Sequence, residues 1–275
     1  MPYLVAGLYV VLTALLLAAC ATPGENFGRR ATSLGFTQIR LKGDGFNHVA
    51  YVSPTLEHSD LLHVYVEHDG TPWFDVTHVA QDPTPRRPFA LELMARDTGP
   101  RLLLGRPCYF EATMDPPCGP LLWTHRRYSP EVIASMVAAL NDFLSFHPFR
   151  RVALIGYSGG GSLAWLMAAR VPQAATVITV AANLDTEAWT RLHGYSALVG
   201  SVNPALSDPL PATIAQLHYI GGRDTNVPPS IADSFARRHP HARVVVRPDF
   251  DHVCCWIERW PTLLGELEPI QDSRR

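Results

Sequence analysis

The sequence predicts an α/β fold in which helices cover both faces of a mostly parallel central sheet. Short apolar runs alternate with helix-like stretches along most of the chain, a rhythm that is typical of such a sheet. The strongest unit is Val152–Gly161, where an apolar run enters a glycine-rich turn and a helix-like stretch follows at once. A hydrophobic content of 47% with 17% charged residues is consistent with a well-filled core rather than disorder.

Local patterns predict the individual elements. Thr37–Tyr51 alternates around a Gly-rich turn and predicts an edge hairpin, whereas Leu61–Glu67 is a dense apolar run that predicts a central strand. Further apolar runs predict strands at Arg101–Gly105, Val152–Ile155, Ala175–Ala181, Leu217–Ile220 and Val244–Val246. Apolar residues at helical spacing predict helices over Phe89–Arg96 and Glu131–His147, the second opened by Ser129-Pro130.

Residues 1–19 predict an export signal. Tyr3–Ala19 is almost unbroken apolar sequence that is shorter than a comfortable membrane span, and small residues precede Cys20. The ending Leu-Ala-Ala-Cys resembles the lipobox of bacterial lipoproteins, although no Lys or Arg precedes the apolar run. By this resemblance Cys20 would be lipidated and would anchor the exported protein to a membrane of the bacterial cell envelope. An ordinary cleaved signal and an uncleaved apolar N-terminus with a buried cysteine are the alternatives.

The rest of the chain is divided into a tether and one folded domain. Residues 20–30 contain polar and turn-forming residues and predict the tether, and residues 31–275 form the domain. Within it, residues 183–211 have little periodicity and predict a small cap or an irregular insertion after a strand. A net charge of −2 leaves no electrostatic footprint for nucleic acid, so a nucleic-acid partner is not expected.

The four cysteines after Cys20 fit an oxidising compartment. Cys108 and Cys118 flank a short proline-rich loop, and this spacing predicts a local disulfide. Cys254 and Cys255 are adjacent, and for them a bond between neighbours and two buried thiols are both open. The four lack the paired spacing of a zinc site, and the histidines lack a helical His-Glu-x-x-His unit. The sequence therefore predicts neither a metal nor another cofactor.

Gly156-Tyr157-Ser158-Gly159-Gly160 has the spacing Gly-x-Ser-x-Gly between a predicted strand and a predicted helix. Such a turn holds the serine in a strained conformation, and the helix N-terminus offers backbone amides to a developing oxyanion. This pattern predicts Ser158 as a nucleophile and the N–H of Gly159 as an oxyanion donor. A plain glycine-rich turn and a phosphate-binding loop are the alternatives, although the latter favours Lys-Ser or Lys-Thr where this chain has Ser162-Leu163.

An activated serine needs a base and an acid that orients the base. Asp224 and His252 each follow a predicted strand, so their side chains and that of Ser158 would share one edge of the sheet. The three occur in the chain order Ser, Asp, His, and the segment Leu61–Trp256 resembles the α/β-hydrolase fold superfamily. The resemblance implies the mechanism of a serine esterase, lipase, thioesterase or peptidase.

The loop after the strand Leu61–Glu67 would complete the oxyanion hole. It reads His68-Asp69-Gly70 rather than the common His-Gly or His-Gly-Gly-Gly, and the expected donor is the amide of Gly70 or of Thr71. A plain turn is the alternative. We therefore expect a serine hydrolase that forms an acyl-enzyme from a small or lipid-like ester. A non-catalytic binding lipoprotein and a serine peptidase on the same fold are the competing hypotheses.

Overall fold

The computed structural model describes residues 21–57, 59–111 and 116–266. In this part of the chain eight strands form one sheet: β1 (Thr37–Lys42), β2 (Asn47–Val52), β3 (Leu61–Val66), β4 (Arg101–Leu104), β5 (Arg151–Tyr157), β6 (Ala174–Val180), β7 (Ala215–Gly221) and β8 (Ala242–Arg247). Their spatial order is β1-β2-β4-β3-β5-β6-β7-β8. The pairs β1–β2 and β2–β4 are antiparallel, and every other neighbouring pair is parallel. The predicted fold class is confirmed.

Helices cover both faces of this sheet. The α-helices of the described chain are α1 (Pro23–Ser33), α2 (Phe89–Ala95), α3 (Pro130–Phe146), α4 (Gly159–Ala168), α5 (Thr186–His193), α6 (Pro229–Ala236) and α7 (Trp256–Gly265). The strand register aligns Gln216 of β7 with Val64 of β3, so the next residue, Tyr65, points to the opposite face. Trp165 of α4 donates a hydrogen bond to Gln216, whereas Trp260 of α7 donates one to Tyr65.

The segment before β1 is a helix rather than the predicted tether. Its first turn is fixed by a capping box, in which Thr22 Oγ1 accepts from the N–H of Glu25 and the Glu25 carboxylate accepts from the N–H of Thr22. Phe27 of this helix is buried in the hydrophobic core, so the helix packs against the rest of the domain. The turn-forming residues of the predicted tether, residues 20–30, therefore start a helix at Pro23.

The insertion at residues 183–211 is more regular than the sequence predicts. It contains α5 and a short 3-10 helix at Pro204–Leu206. The Asp185 carboxylate caps α5 by accepting the N–H of Ala188 at 3.1 Å, and Gly194 ends the helix with a φ of 65°. A helix of only two turns carries too few apolar positions to produce a visible period, so sequence reasoning missed it.

Disulfide bonds join Cys108 to Cys118 and Cys254 to Cys255. Of the two possibilities left open for the adjacent pair, the structure therefore contains the bond between neighbours. The predicted export signal and Cys20 lie outside the described residues. In the part of the chain that is described, no helix combines the length and the apolar character needed to cross a membrane.

The stability of the sheet should depend on pH through His48. This side chain is fully buried on β2, with Nδ1 2.8 Å from Gly105 O and Nε2 2.7 Å from Ser135 Oγ. Burial lowers the pKa of His48 to about 4. An unfolded histidine titrates near pH 6.5, so on acidification from there to pH 4 the unfolded state binds a proton that the folded state does not. The stability that His48 contributes above pH 6.5 is therefore lost as the pH falls from 6.5 to 4.

We expect His48→Gln to be less stable than the wild type at pH 8, and the difference to shrink by roughly 2–3 kcal/mol at pH 4.5. Urea unfolding of both proteins at the two pH values measures this difference, and groups that the two proteins share cancel from it. His241→Gln, at an exposed turn, is the control for loss of a histidine. A stability difference that is the same at both pH values would contradict the prediction.

Candidate active site

Ser158 stands at the turn from β5 into α4, at the carboxyl edge of the sheet. Its φ of 51° and ψ of −124° lie in a region that residues other than glycine rarely occupy. The N–H of Ser158 donates to Val180 O at 2.9 Å, so the neighbouring strand β6 holds the strained residue in place. No other described residue hydrogen-bonds to Ser158 Oγ, and the side chain is half-buried. The hydroxyl is therefore held at the sheet edge without being used by the fold.

Two glycines allow the backbone around Ser158 to pack closely. A Cβ on Gly156 would lie 2.2 Å from Gly160 O, and a Cβ on Gly160 would lie 2.2 Å from Val66 O at the end of β3. Both contacts are with backbone atoms of packed elements, which cannot swing aside as a flexible side chain could. The serine turn is thus pressed directly against the loop that follows β3.

The structure brings Asp224 and His252 together. Asp224 Oδ2 lies 2.8 Å from His252 Nδ1, and the aspartate side chain is fully buried. Its Oδ1 accepts the N–H groups of Asn226 and Val227, each at 2.8 Å. Because a carboxylate only accepts hydrogen bonds, Nδ1 carries the proton and Nε2 is left as the basic nitrogen. This is the tautomer that a general base requires.

The side chain of Asn226 is hydrogen-bonded to the basic nitrogen of His252. Its side-chain Nδ2 lies 3.1 Å from Nε2 of the imidazole. Its backbone carbonyl accepts hydrogen bonds from Trp189 at 3.0 Å and from His193 at 2.7 Å, both on α5. The insertion therefore holds the loop that carries Asp224. Ser158 could therefore donate to Nε2 only if this amide moved away.

Tyr157 connects the serine turn to the histidine loop. Its hydroxyl donates to His252 O at 3.0 Å, and the two ring centroids are 5.3 Å apart. The tyrosine ring also stacks on Phe89 of α2 with centroids 3.9 Å apart. Burial raises the pKa of Tyr157, so the hydroxyl stays a neutral donor. The variable position of the Gly-x-Ser-x-Gly pattern thus has a structural role that the pattern does not predict.

The loop after β3 lies beside Gly159, whose N–H is the first of α4 and has no intrahelical acceptor. The two other predicted oxyanion donors are engaged elsewhere. The N–H of Gly70 donates to His68 Nδ1 at 3.0 Å, and that of Thr71 donates to Pro83 O at 2.9 Å. The structure therefore brings the expected loop to the serine turn, but uses both of these amides within the surrounding loops.

A cluster of charged side chains that sequence reasoning missed lies against this loop. Asp69 pairs with Arg106 at 2.7 Å and with Arg127 at 3.0 Å, and Tyr128 donates to the same carboxylate at 2.6 Å. Asp69, Arg106 and the adjacent pair Arg127-Tyr128 stand on three separate segments, so no local pattern could have grouped them. Across residues 21–57, 59–111 and 116–266, no three or more His, Cys, Asp and Glu side chains are grouped as metal ligands.

Comparison with solved structures identifies the fold. An esterase of Pyrococcus furiosus gives a TM-score of 0.59 at 14% identity, over 87% of this chain and 92% of that chain. A serine hydrolase without a lid from Xanthomonas campestris gives 0.57 at 13% identity, over 86% and 95%. A membrane phospholipase A that is a bacterial virulence factor gives 0.59 at 14% identity, over 100% and 99%. No protein-family model and no curated protein matches the sequence. The chain therefore has the fold of α/β hydrolases.

The close contact at Gly160 leaves no room for a side chain at this position. We expect Gly160→Ala to lower the free energy of unfolding by about 1–3 kcal/mol, because its Cβ would overlap Val66 O and Glu67 O. Gly119→Ala is the matched control, since a Cβ there meets no atom within 4 Å. Urea unfolding measures both. Equal effects of the two substitutions would show that the close approach at Gly160 does not limit stability.

Proposed function

We propose that the protein is a serine hydrolase that forms an acyl-enzyme on an ester-type carbonyl. One observation carries the proposal: the strained Ser158 shares the carboxyl edge of the sheet with the hydrogen-bonded pair of Asp224 and His252. The hydroxyl of Tyr157 adds a direct link between the serine turn and the histidine loop. The α/β-hydrolase fold supports the same chemistry, since an esterase and a serine hydrolase are among the structures that the chain resembles.

In the proposed reaction, the Asn226 amide first releases Nε2 of His252, and Nε2 then accepts a hydrogen bond from the Ser158 hydroxyl. Nε2 takes the hydroxyl proton as Oγ attacks the carbonyl carbon, and Asp224 stabilises the imidazolium that forms. The N–H of Gly159 donates to the oxyanion. The imidazolium then protonates the leaving alkoxide. Finally a water molecule, deprotonated by the same nitrogen, releases the acyl group and restores the serine.

We also propose that the enzyme is exported and anchored to a bacterial cell-envelope membrane through a lipid on Cys20. The lipobox-like ending of the apolar run supports the anchor. The disulfide pairs Cys108–Cys118 and Cys254–Cys255 support an oxidising compartment. Small or lipid-like acyl esters are the substrate class that fits an enzyme at such a surface.

We expect Ser158→Ala to lose labelling by a fluorophosphonate probe and to turn over p-nitrophenyl esters at less than about 0.1% of the wild-type rate, because the attacking oxygen is gone. Esters of rising chain length also report the acyl preference. Ser145→Ala, at an exposed serine of α3, is the control and should keep full activity.

Mass spectrometry should place the probe on Ser158 of the wild-type protein. A folded Ser158→Ala protein with full activity would rule out the acyl-enzyme. A folded wild-type protein that neither reacts with the probe nor turns over any ester would favour the non-catalytic binding protein.

We expect Asp224→Asn to lower kcat for ester hydrolysis by about 10³–10⁴-fold, because an amide at this position favours the wrong imidazole tautomer. Asp249→Asn is the matched control: this carboxylate is 81% exposed and pairs with Arg223 at the surface. We expect the control to change kcat by less than about twofold, as for other exposed sites. Similar losses in the two variants would show that Asp224 is not the acid.

A further inference from the structure

The charged cluster formed by Asp69, Arg106, Arg127 and Tyr128 lies beside the proposed nucleophile, with Asp69 partly exposed and the other three side chains buried. Asp69 Oδ1 is 2.7 Å from Arg106, and Oδ2 accepts hydrogen bonds from Arg127 at 3.0 Å and from Tyr128 at 2.6 Å. Arg106 is only 2% exposed. A Cβ on Gly159 would lie 2.2 Å from Asp69 Oδ1 and 2.4 Å from the Tyr128 hydroxyl oxygen. The cluster therefore packs against the backbone whose N–H is the proposed oxyanion donor.

The cluster contains more positive than negative charge. Burial opposes ionisation of Asp69, but the attraction of Arg106 and Arg127 outweighs it and holds the pKa of the carboxyl well below its usual range. Burial likewise opposes the charge of Arg106, yet Asp69 raises the pKa of its guanidinium. Two cations thus face one anion, and the Arg106 guanidinium also lies 5.6 Å from the ring of Tyr109 and 5.7 Å from that of Tyr128.

Stability alone gives little reason for this arrangement. Removing two guanidinium groups and a carboxylate from water is costly, and apolar side chains of similar volume often stabilise a core as well or better. A lone carboxylate beside the nucleophile would also oppose an oxyanion forming there. The two arginines together exceed that charge, so the cluster as a whole carries a net positive charge, with Asp69 and Tyr128 as the members that contact Gly159.

The backbone of Asp69 is placed to contribute as well. Its carbonyl accepts the hydroxyl of Tyr109 at 3.0 Å, whereas its N–H has no acceptor among the described residues. The next two amides, those of Gly70 and Thr71, already donate to His68 and Pro83. Of these three amides, the one that remains free belongs to the residue whose side chain touches Gly159.

We propose that Asp69 is the positioning residue of the oxyanion hole. Its carboxylate, clamped by Arg106, Arg127 and Tyr128, fixes the loop after β3 against the serine turn. Its own N–H is the second donor beside that of Gly159, in place of Gly70 or Thr71. The excess positive charge of the clamp then favours the anionic transition state over the neutral ester. The inference rests on the proposed serine-hydrolase function.

Asp69→Asn tests the proposal in the purified full chain. The backbone N–H remains in this variant, but the loop that carries it is no longer clamped, so kcat for p-nitrophenyl esters should fall by about 10²–10³-fold, the size of effect that loss of an oxyanion donor has. KM should change by less than about threefold. The inhibition constant of a trifluoromethyl ketone, which forms a tetrahedral oxyanion on the serine, should rise in parallel with the loss of kcat/KM. A purely structural role would not produce this parallel change.

Asp97→Asn is the matched control. Asp97 is also a buried carboxylate, bonded to His63 and Tyr65 at 2.6 Å each, but it precedes β4 and so lies at the opposite edge of the sheet. This variant should lose stability and keep kcat within about twofold of the wild type. Comparison of the two variants separates the general cost of changing a buried, hydrogen-bonded carboxylate from an effect on the reaction.

Tyr128→Phe keeps the test decisive if Asp69→Asn does not fold, because it removes one hydrogen bond and keeps both ion pairs. It should lower kcat by about tenfold and leave KM unchanged. The proposal is overturned if the folded variants lose no more kcat than Asp97→Asn, or if inhibitor affinity is unaffected. Unchanged labelling of the variants at Ser158 would overturn only this inference, whereas an unlabelled wild-type protein would overturn the proposed function with it.

Discussion

The contact of the serine turn with the end of β3 determines where every other part of the site must lie. Gly160 has no space for a side chain because Val66 O and Glu67 O pack against it, and Gly156 is similarly closed by Gly160 itself. This packing supports the unusual backbone angles of Ser158, whose strain costs on the order of 1–3 kcal/mol. Since the neighbouring strands run parallel, the loops that leave them reach the same edge of the sheet.

That constraint explains which features could be predicted from the sequence. Asp224 and His252 each follow a strand, so the parallel order of the strands places both residues at the same edge of the sheet. There the two side chains are 2.8 Å apart. The helix α1 was missed because Thr22, Pro23 and Glu25 are residues of both loops and helix starts, and the buried Phe27 that distinguishes the two gives no local signal. Local sequence patterns predict the strands well, but they predict poorly the short helices that are stabilised by tertiary contacts.

The insertion has a second role that its irregular sequence hides. Trp189 and His193 of α5 both bind the carbonyl of Asn226, and the side chain of the same residue bonds to Nε2 of His252. A movement of α5 would therefore be transmitted to Nε2 of His252, the proposed acceptor of the serine proton. In the proposed mechanism, the position of the insertion and the release of the base are thus coupled through one residue. The residues that form this connection are far apart in the sequence, so no motif predicts it.

The Asp69 cluster as a whole and the N-terminus of α4 both carry positive charge. A helix of this length carries about half a positive charge at its first turn, and the Gly159 N–H is part of it. The cluster adds its excess positive charge against the same residue, in surroundings where burial weakens solvent screening. Asp69 is needed because two neighbouring guanidinium groups would otherwise repel each other and drive the loop apart. The carboxylate therefore makes it possible to hold two cations close to the proposed reaction centre.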